Sequence, residues 1–337
     1  MTKIAINGFG RIGRAVAKII LKSDGLELVA INDLTSVKML THLFKYDSVY
    51  RKFNGEVKAV EDGILINGKK VLVFDERNPK DLPWKKLGID IAVESTGIFT
   101  TAESPRGGYK DHIIAGAKRV LLTVPAKDKI DQTIVLGVND DQLDITNIAF
   151  SNASCTTNCL SPIAKILNDN FGIEKGLMTT IHAYTNDQVV HDMPHSDLRR
   201  SRSCASSIIP TTTGATRAVG LVIPDLLGKM DGCAMRVPVI TGSLVDFVAV
   251  LKKEATIEQI NAAVKKAAET TMKGIVEYTE DPIVSVDIIQ NTHSSIFDAL
   301  STMVIGGKFI KIVSWYDNEW GYSNRVVNLL KMIGAKL

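Results

Sequence analysis

The chain is poor in cysteine, with four in 337 residues: Cys155, Cys159, Cys204 and Cys233. Secreted, disulfide-stapled scaffolds are shorter and far denser in cysteine, so that class is excluded and reduced thiols are expected. No apolar run is long enough to span a bilayer, which argues against a helical membrane protein. Charge of one sign is lacking too: 40 Lys and Arg stand against 37 Asp and Glu, a net charge of +3. That excess is too small to argue for a nucleic-acid or membrane-surface partner. There is no internal repeat and no low-complexity linker. The opening MTKIAINGFGRIGR reads as strand, turn and helix, not as a charged-then-apolar leader. A soluble, cytoplasmic protein is expected, and the length suggests two closely packed domains.

Residues 3–7 (KIAIN) form a short apolar run that ends at glycine. Ile12, Ala15, Val16, Ile19 and Ile20 then share one helical face, and a second apolar run spans Leu28 to Ile31. Strand, helix and strand within some thirty residues is a βαβ unit, which implies a parallel sheet. Val71–Phe74, Ile89–Glu94, Arg119–Thr123 and Ile148–Ser151 are further strand candidates, so the N-terminal half reads as α/β, doubly wound. After about residue 153 the pattern changes. A helix is predicted from Cys155 to Asn170, followed by strands at Leu177–Ala183, Met235–Ile240, Leu244–Leu251 and Lys308–Trp315. One more helix is capped by Thr256 and Gln259 and can end at Gly274. This second half reads as α+β with a largely antiparallel sheet.

Gly8, Gly10 and Gly13 form a G-x-G-x-x-G between a strand and a helix, with Asp33 after the next strand. In that setting Gly8 permits the turn, Gly10 lets a pyrophosphate approach the backbone, and Gly13 lets helix and strand pack closely. The helix N-terminus faces the phosphates. Asp33 can accept from the ribose 2′-OH and would repel a 2′-phosphate, which predicts NAD over NADP. A glycine turn in an unrelated βαβ unit is the plainer alternative.

Ser151–Cys159 reads SNASCTTNC, where a strand gives way to a helix. Cys155 falls at the helix start, where the macrodipole favours a thiolate. The Cys155–Cys159 pair lacks the two further ligands and the spacing of a zinc site, so no metal is expected. A buried structural cysteine is the other alternative. It suits Cys159, one turn into the helix, better than Cys155, which hydroxyl residues surround. Of six histidines, His182 ends an apolar strand and precedes a polar segment, as a general base would. Whether it reaches Cys155 or is merely structural is open at this level.

The segments SNASCTTNC, NGFGRIGR, HAYTNDQ, IIPTTTGA, MRVP and SWYDNEWGYSNRV resemble those of the glyceraldehyde-3-phosphate dehydrogenase family, from end to end and on its bacterial-type, phosphorylating branch. The resemblance implies a Rossmann-type NAD-binding domain of residues 1–153, completed by the C-terminal helix 318–337, and a catalytic domain of 154–317. It implies Cys155 as nucleophile and His182 as base, working through a hemithioacetal and a thioester to convert glyceraldehyde 3-phosphate into 1,3-bisphosphoglycerate. Ser154, Thr156, Thr213 and Gly214 would hold the attacking inorganic phosphate. Thr185 and Arg236 would hold the substrate's own phosphate, with Arg200 adding charge from its basic loop. Arg11, Ile12, Asp33, Arg77 and Thr123 would line the NAD site beside the glycines. Asn318 would orient the nicotinamide carboxamide, with Tyr322 nearby. The family is homotetrameric.

Several positions depart from the family pattern. VPVITGSLVD stands for VPTPNVSVVD, which places Thr241-Gly242 where Asn-Val is usual and suggests a weakened or bulged strand. SVYRKF stands for SVHGKF, Thr123-Val124-Pro125 for Ser-Ala-Pro, Cys204 for a small residue and Arg217 for lysine. Three rival readings stand beside it: the sister enzyme that oxidises erythrose 4-phosphate, aspartate-semialdehyde dehydrogenase, and a binding protein on the same chain. The first typically lacks the Thr-Gly pair and the threonine seen here at 213, 214 and 185. The second lacks SNASCTTNC, and the third has no feature of the sequence in its favour. DLRRSRSC, with its three arginines, reads as a solvated or interface loop before it reads as a nucleic-acid site.

Overall fold

In the computed structural model, which describes residues 1–337, the first apolar run lies within a nine-stranded sheet. In chain order the elements here are β1 (Thr2–Asn7), α1 (Arg11–Ile20), β2 (Leu26–Asn32), α2 (Val37–Lys45), β3 (Val57–Val60), β4 (Gly63–Ile66), β5 (Lys69–Phe74), α3 (Trp84–Leu87), β6 (Ile91–Glu94), α4 (Asp111–Ile114), β7 (Arg119–Leu122), β8 (Gln132–Thr133) and β9 (Ala149–Ser151). The sheet order is β3-β4-β5-β2-β1-β6-β7-β9-β8. Its pairings are parallel except β3 with β4 and β4 with β5. Ile4, Ala5 and Ile6 are fully buried. A strand covered on both faces has no polar alternation to show, which is why it reads as a continuous apolar run. One core cluster gathers Ala5, Ala30 and Ala92 with Trp84 and Ile89. Another gathers Tyr109, Val120, Leu122 and Ala149.

The second sheet follows α5 (Cys155–Phe171) and contains β10 (Ile173–Ala183), β11 (Ile209–Thr212), β12 (Met230–Val237), β13 (Ser243–Leu251), β14 (Val276–Thr279), β15 (Ser295–Ile305) and β16 (Phe309–Tyr316). Its order is β11-β12-β10-β13-β16-β15-β14. Four of its six pairings are antiparallel; β10 with β12 and β14 with β15 are parallel. Helices α6 (Ala215–Val222) and α7 (Ile257–Glu269) complete this part, and α8 (Trp320–Gly334) ends the chain. Strand β13 alternates buried and half-buried residues along its whole length, the period-2 pattern of a sheet with one covered face. Its Phe247 and Leu251 are buried, as are Leu160, Ile163 and Leu167 of α5.

The chain folds as two compact units: Met1–Ile134, Gln142–Ala153 and Ser323–Leu337 form one, and Val135–Asp141 with Ser154–Tyr322 the other. In the first unit Gly334 of α8 lies so close to Thr2 that a Cβ would overlap its side chain. Several sequence readings change, among them the strand expected at Met235–Ile240, which runs instead over Met230–Val237. The capping box at Thr256 and Gln259 is present, but α7 stops at Glu269, and Gly274 (φ +76°) lies in the turn beyond. Gly242 is not inside a strand. At φ +89° it turns the chain into β13, and a Cβ there would overlap the Ser285 carbonyl. The eleven-residue β15 went unread, because its register with β16 slips between Asp298 and Met303 and the alternation that marks a strand breaks with it.

Candidate active site

The glycine turn is shaped by close approach. Gly8 has φ +90°, and a Cβ there would come within 2.7 Å of the Thr96 amide. At Gly13 a Cβ would overlap the Gly8 carbonyl oxygen. Gly10 is different: it is the N-cap of α1 with no side-chain cap, and a Cβ there would meet nothing within 4 Å. A helix start lacks intrahelical acceptors for its first amides. Here no acidic side chain occupies the first turn either. The result is an uncapped, positively polarised helix end over an open cradle, which fits a diphosphate. Half-buried Arg11 and Ile12 sit in that turn. The Arg11 guanidinium pairs with Asp47 (3.0 Å) and lies over the Tyr50 ring.

Asp33 follows β2 and braces the same turn. Its carboxylate accepts from the amides of Phe9 (2.8 Å) and Thr35 (3.0 Å) and is only half-buried, which leaves lone pairs for ribose hydroxyls. Beneath the turn runs a buried polar row that sequence reasoning missed. Asn32, Asn7 and Glu94 end β2, β1 and β6 and stand in register. Asn32 donates to Asn7 (2.7 Å), and Asn7 donates to Glu94 (2.6 Å). Asn32 also clasps Glu76, donating to its carbonyl (2.9 Å) and accepting from its amide (2.8 Å), beside exposed Arg77. Glu94 in turn accepts from the Thr96 amide (2.8 Å) and meets His112 Nε2 (3.0 Å). Trp84 donates to His112 Nδ1 (3.0 Å), so the ring proton sits on Nε2, facing Glu94. The Thr123 hydroxyl donates to the Glu94 carbonyl (3.2 Å). The sequence signal was polar residues closing three apolar runs.

In the second unit the nucleophile candidate sits at a second helix start. Ala153, just before it, has φ +52°, a left-handed conformation uncommon outside glycine. The turn places Ser154 as N-cap of α5, where its hydroxyl accepts from the Thr157 amide (3.0 Å), and Cys155 as the first helical residue. His182 lies one residue before the end of β10, in register with Arg236 on β12. Its Nε2 is 3.5 Å from Cys155 Sγ, and its Nδ1 is 2.7 Å from the Ala183 carbonyl. When Nδ1–H donates to that carbonyl, Nε2 is the acceptor that faces sulfur, whereas the Arg236 guanidinium, 2.6 Å from the same Nδ1 and able only to donate, favours the other tautomer. Burial, reinforced by the Arg236 guanidinium, pushes His182 down to about 3, so the ring is a neutral base.

The thiol differs from its sequence-based expectation. Burial pushes Cys155 up, while Arg236 and Thr156 pull it back; the helix-start effect does not prevail here. Cys159 is fully buried, near the Ser295 hydroxyl (3.6 Å), and burial pushes it up to about 12, which makes it inert. Tyr316 was also missed. Its hydroxyl joins those of Thr156 (2.9 Å) and Thr180 (2.8 Å), and its ring packs edge-on to His182 at 5.9 Å. Thr180 stands two residues before His182 on the same strand face, a spacing that could have revealed it.

The anion candidates are held in different ways. Arg236 Nη1 lies 2.6 Å from His182 Nδ1 and donates to the Ala183 carbonyl (3.1 Å). Arg200 donates to Thr211 Oγ1 from Nε (2.9 Å) and Nη2 (2.7 Å) and pairs with Asp187. Thr213 accepts from the Ala215 amide (3.2 Å) at the start of α6, beside Gly214, where a Cβ would meet nothing. The Thr185 amide donates to Gln188 (3.2 Å). None of Arg200, Thr213, Gly214 or Thr185 bonds directly to Cys155 or His182. Asn318 is buried, with Oδ1 turned toward the Thr241–Ser243 turn, and Tyr322 is buried in α8.

A dinucleotide cradle and a Cys–His pair on one chain describe an aldehyde-oxidising enzyme in outline, and known proteins agree. Residues 2–102 match the NAD binding domain of glyceraldehyde 3-phosphate dehydrogenase, and residues 154–318 match its C-terminal domain. The glyceraldehyde-3-phosphate dehydrogenase of Borreliella burgdorferi is 59% identical over 334 residues, covering 98% of this chain and 99% of its own. Those of Priestia megaterium and Geobacillus stearothermophilus are each 55% identical over 335 residues, covering 99% of this chain and 98% of their own. The chain belongs to the glyceraldehyde-3-phosphate dehydrogenase family.

Proposed function

We propose that this chain oxidises D-glyceraldehyde 3-phosphate to 1,3-bisphosphoglycerate with reduction of NAD, the step of glycolysis and its reversal, through a thioester on Cys155. The observation that carries the reading is the 3.5 Å approach of Cys155 Sγ to His182 Nε2. Sulfur adds to the aldehyde carbon as His182 takes the thiol proton and hands it on to the former carbonyl oxygen, giving a hemithioacetal and leaving the imidazole neutral again. His182 then stands beside the new hydroxyl and removes its proton as the carbon is oxidised to the thioester. NAD, when bound, supplies the hydride acceptor for that oxidation. The helix-start amides of α5 face the developing oxyanion. Inorganic phosphate next attacks the thioester carbon and releases the Cys155 thiolate.

The glycine cradle, Arg11, Ile12, Asp33, Arg77 and Thr123 hold the dinucleotide in this reading, and Asn318 with Tyr322 serves its nicotinamide end. Arg236 and Thr185 take the substrate phosphate; Ser154, Thr156, Thr213 and Gly214 take the attacking one, and Arg200 adds charge. The hydroxyls of Ser154 and Thr156 are engaged as the helix cap and with Tyr316, so these two act through their main chain. A substrate phosphate at Arg236 would offset the charge that holds His182 down, and so strengthen the base when substrate is present.

The working form is a homotetramer in this proposal. The second sheet exposes Leu177, Leu300, Met303, Ile305 and Phe309, apolar side chains that a neighbouring subunit would cover in this reading. No helix is long and apolar enough to cross a membrane. All four cysteines are free, and Cys155 must stay reduced to act, which supports the cytoplasm as its compartment.

NADH formation from glyceraldehyde 3-phosphate and NAD, measured with and without inorganic phosphate or arsenate, tests the proposal. Sustained turnover should require the anion. Phosphate-independent oxidation of erythrose 4-phosphate would replace the reading with that of the sister enzyme.

A further inference from the structure

We infer that Ser243, with the Thr241-Gly242 turn, is a positioning residue that fixes which end of the Asn318 amide faces the nicotinamide. The inference rests on the proposed role of Asn318. Asn318 Oδ1 lies 3.2 Å from the Gly242 amide nitrogen and 2.9 Å from Ser243 Oγ, with Thr241 Oγ1 at 3.4 Å. A main-chain N–H can only donate, so the atom facing Gly242 is oxygen and the amide has one sense. Ser243 Oγ accepts from the Ala183 amide (3.1 Å), which directs its own proton to Asn318. Ser243, Thr241 and Asn318 are at most 5% exposed, so water does not compete for these bonds.

The turn itself is specific to this arrangement. Gly242 presents its amide at φ +89°, with the Ser285 carbonyl where a Cβ would stand. A valine, usual in the family at this position, would be strained there and would overlap that carbonyl. Ala183 also binds His182 Nδ1 through its carbonyl. One peptide neighbour thus ties the base on β10 to the amide on the segment before α8. With Oδ1 held by the turn, Asn318 has only its NH2 to offer a cofactor. It therefore reads the carbonyl oxygen of the carboxamide and is indifferent to the carboxamide NH2.

The acetylpyridine analogue of NAD, which keeps the carbonyl but replaces NH2 by methyl, tests this. In the unmodified protein Asn318 should not discriminate between the two cofactors. Ser243→Ala removes the shortest contact on Oδ1 (2.9 Å) and leaves the 3.2 Å Gly242 amide, so Oδ1 turns outward in part of the molecules, where it meets NH2 in NAD but methyl in the analogue. The ratio of the two binding affinities, NAD over the analogue, read by fluorescence titration and again in kcat/KM, should rise severalfold, up to about tenfold for one fully misplaced hydrogen bond. Ser243→Thr, which keeps the hydroxyl, should restore it. A merely structural serine would lower both cofactors together, and an unchanged ratio in Ser243→Ala would overturn the inference. Should that variant not fold, Ser243→Cys keeps the volume with a weak donor, and the same unchanged ratio counts against it. Asn318→Ala separates the two layers: no loss with either cofactor removes the proposed role of Asn318 itself, whereas a loss there with no ratio change in the Ser243 variants removes only the lock.

Discussion

The two working helix starts, α1 and α5, are built alike and finished differently. Each follows a strand through a left-handed residue, Gly8 at φ +90° and Ala153 at φ +52°. The N-cap of α1 is Gly10, which caps nothing; that of α5 is Ser154, which accepts from the Thr157 amide. An uncapped start keeps its amides for an outside anion. A capped start spends one of them on stability and fixes the next side chain, Cys155, in one place. In the proposed reading the difference separates a binding end from a reacting end, although the same backbone dipole lies behind both.

Removing the sulfur breaks the comparison most completely. Cys155→Ala should lower phosphorylating turnover by at least about 10⁴-fold while NAD titration stays near normal, since the nucleophile is lost and the cradle is not; substantial residual turnover would refute the assignment. His182→Asn should cost about 10²–10⁴-fold in kcat. Iodoacetamide labelling of Cys155 should also slow at neutral pH, with its midpoint moved upward because the proton has lost its acceptor; an unmoved labelling profile would separate His182 from the thiol.

Exchanging the two caps for alanine sharpens the contrast. Ser154→Ala should lose about 1 kcal/mol of stability in denaturant titration with NAD affinity kept. Gly10→Ala has room for its Cβ and should keep its stability within about 0.5 kcal/mol while NAD binds less well. The reverse pattern would mean that the cradle over Gly10 is not the phosphate site.

The smallest effects lie at the rim of the cradle. Burial pushes the Asp47 carboxyl up, but the Tyr50 and Val49 amides and Arg11 overcome it and hold it at about 2, below its ordinary 3.8. A depressed carboxyl contributes stability above its unfolded value and loses it as the pH falls through the folded one. Acid titration should therefore weaken the protein between about pH 4 and 2, and Asp47→Asn should flatten that part of the curve. Nearby Arg51 holds φ +66° where the family pattern has glycine. Arg51→Gly should be neutral to stabilising by about 1 kcal/mol.

Parts of the site were legible because their chemistry is local. Three glycines, a helix start and an aspartate after the next strand are set by contacts within some thirty residues, and SNASCTTNC marks a strand-to-helix turn in the same way. Other parts were not. The 3.5 Å between Cys155 and His182 depends on how β10 meets α5, and neither residue carries a sign of the other. The Asn32–Asn7–Glu94 row needs three strands in register. Tyr316 reaches Thr156 across 160 positions of sequence. The helix-start argument for Cys155 weighed the dipole without burial, a quantity that exists only once the chain is packed. Thr241-Gly242 read as a flaw in a strand because the sequence shows a glycine's freedom but not the partner that uses it.

Composition and periodicity alone determined a doubly wound half followed by an α+β half, a dinucleotide turn and a cysteine at a helix start, since turns, caps and apolar periods are properties of neighbours along the chain. Tertiary structure alone decided which base meets the sulfur, how burial shifts both groups, and which way the Asn318 amide points. Each of those depends on desolvation and on hydrogen bonds between segments far apart in sequence, and neither exists until the strands are side by side.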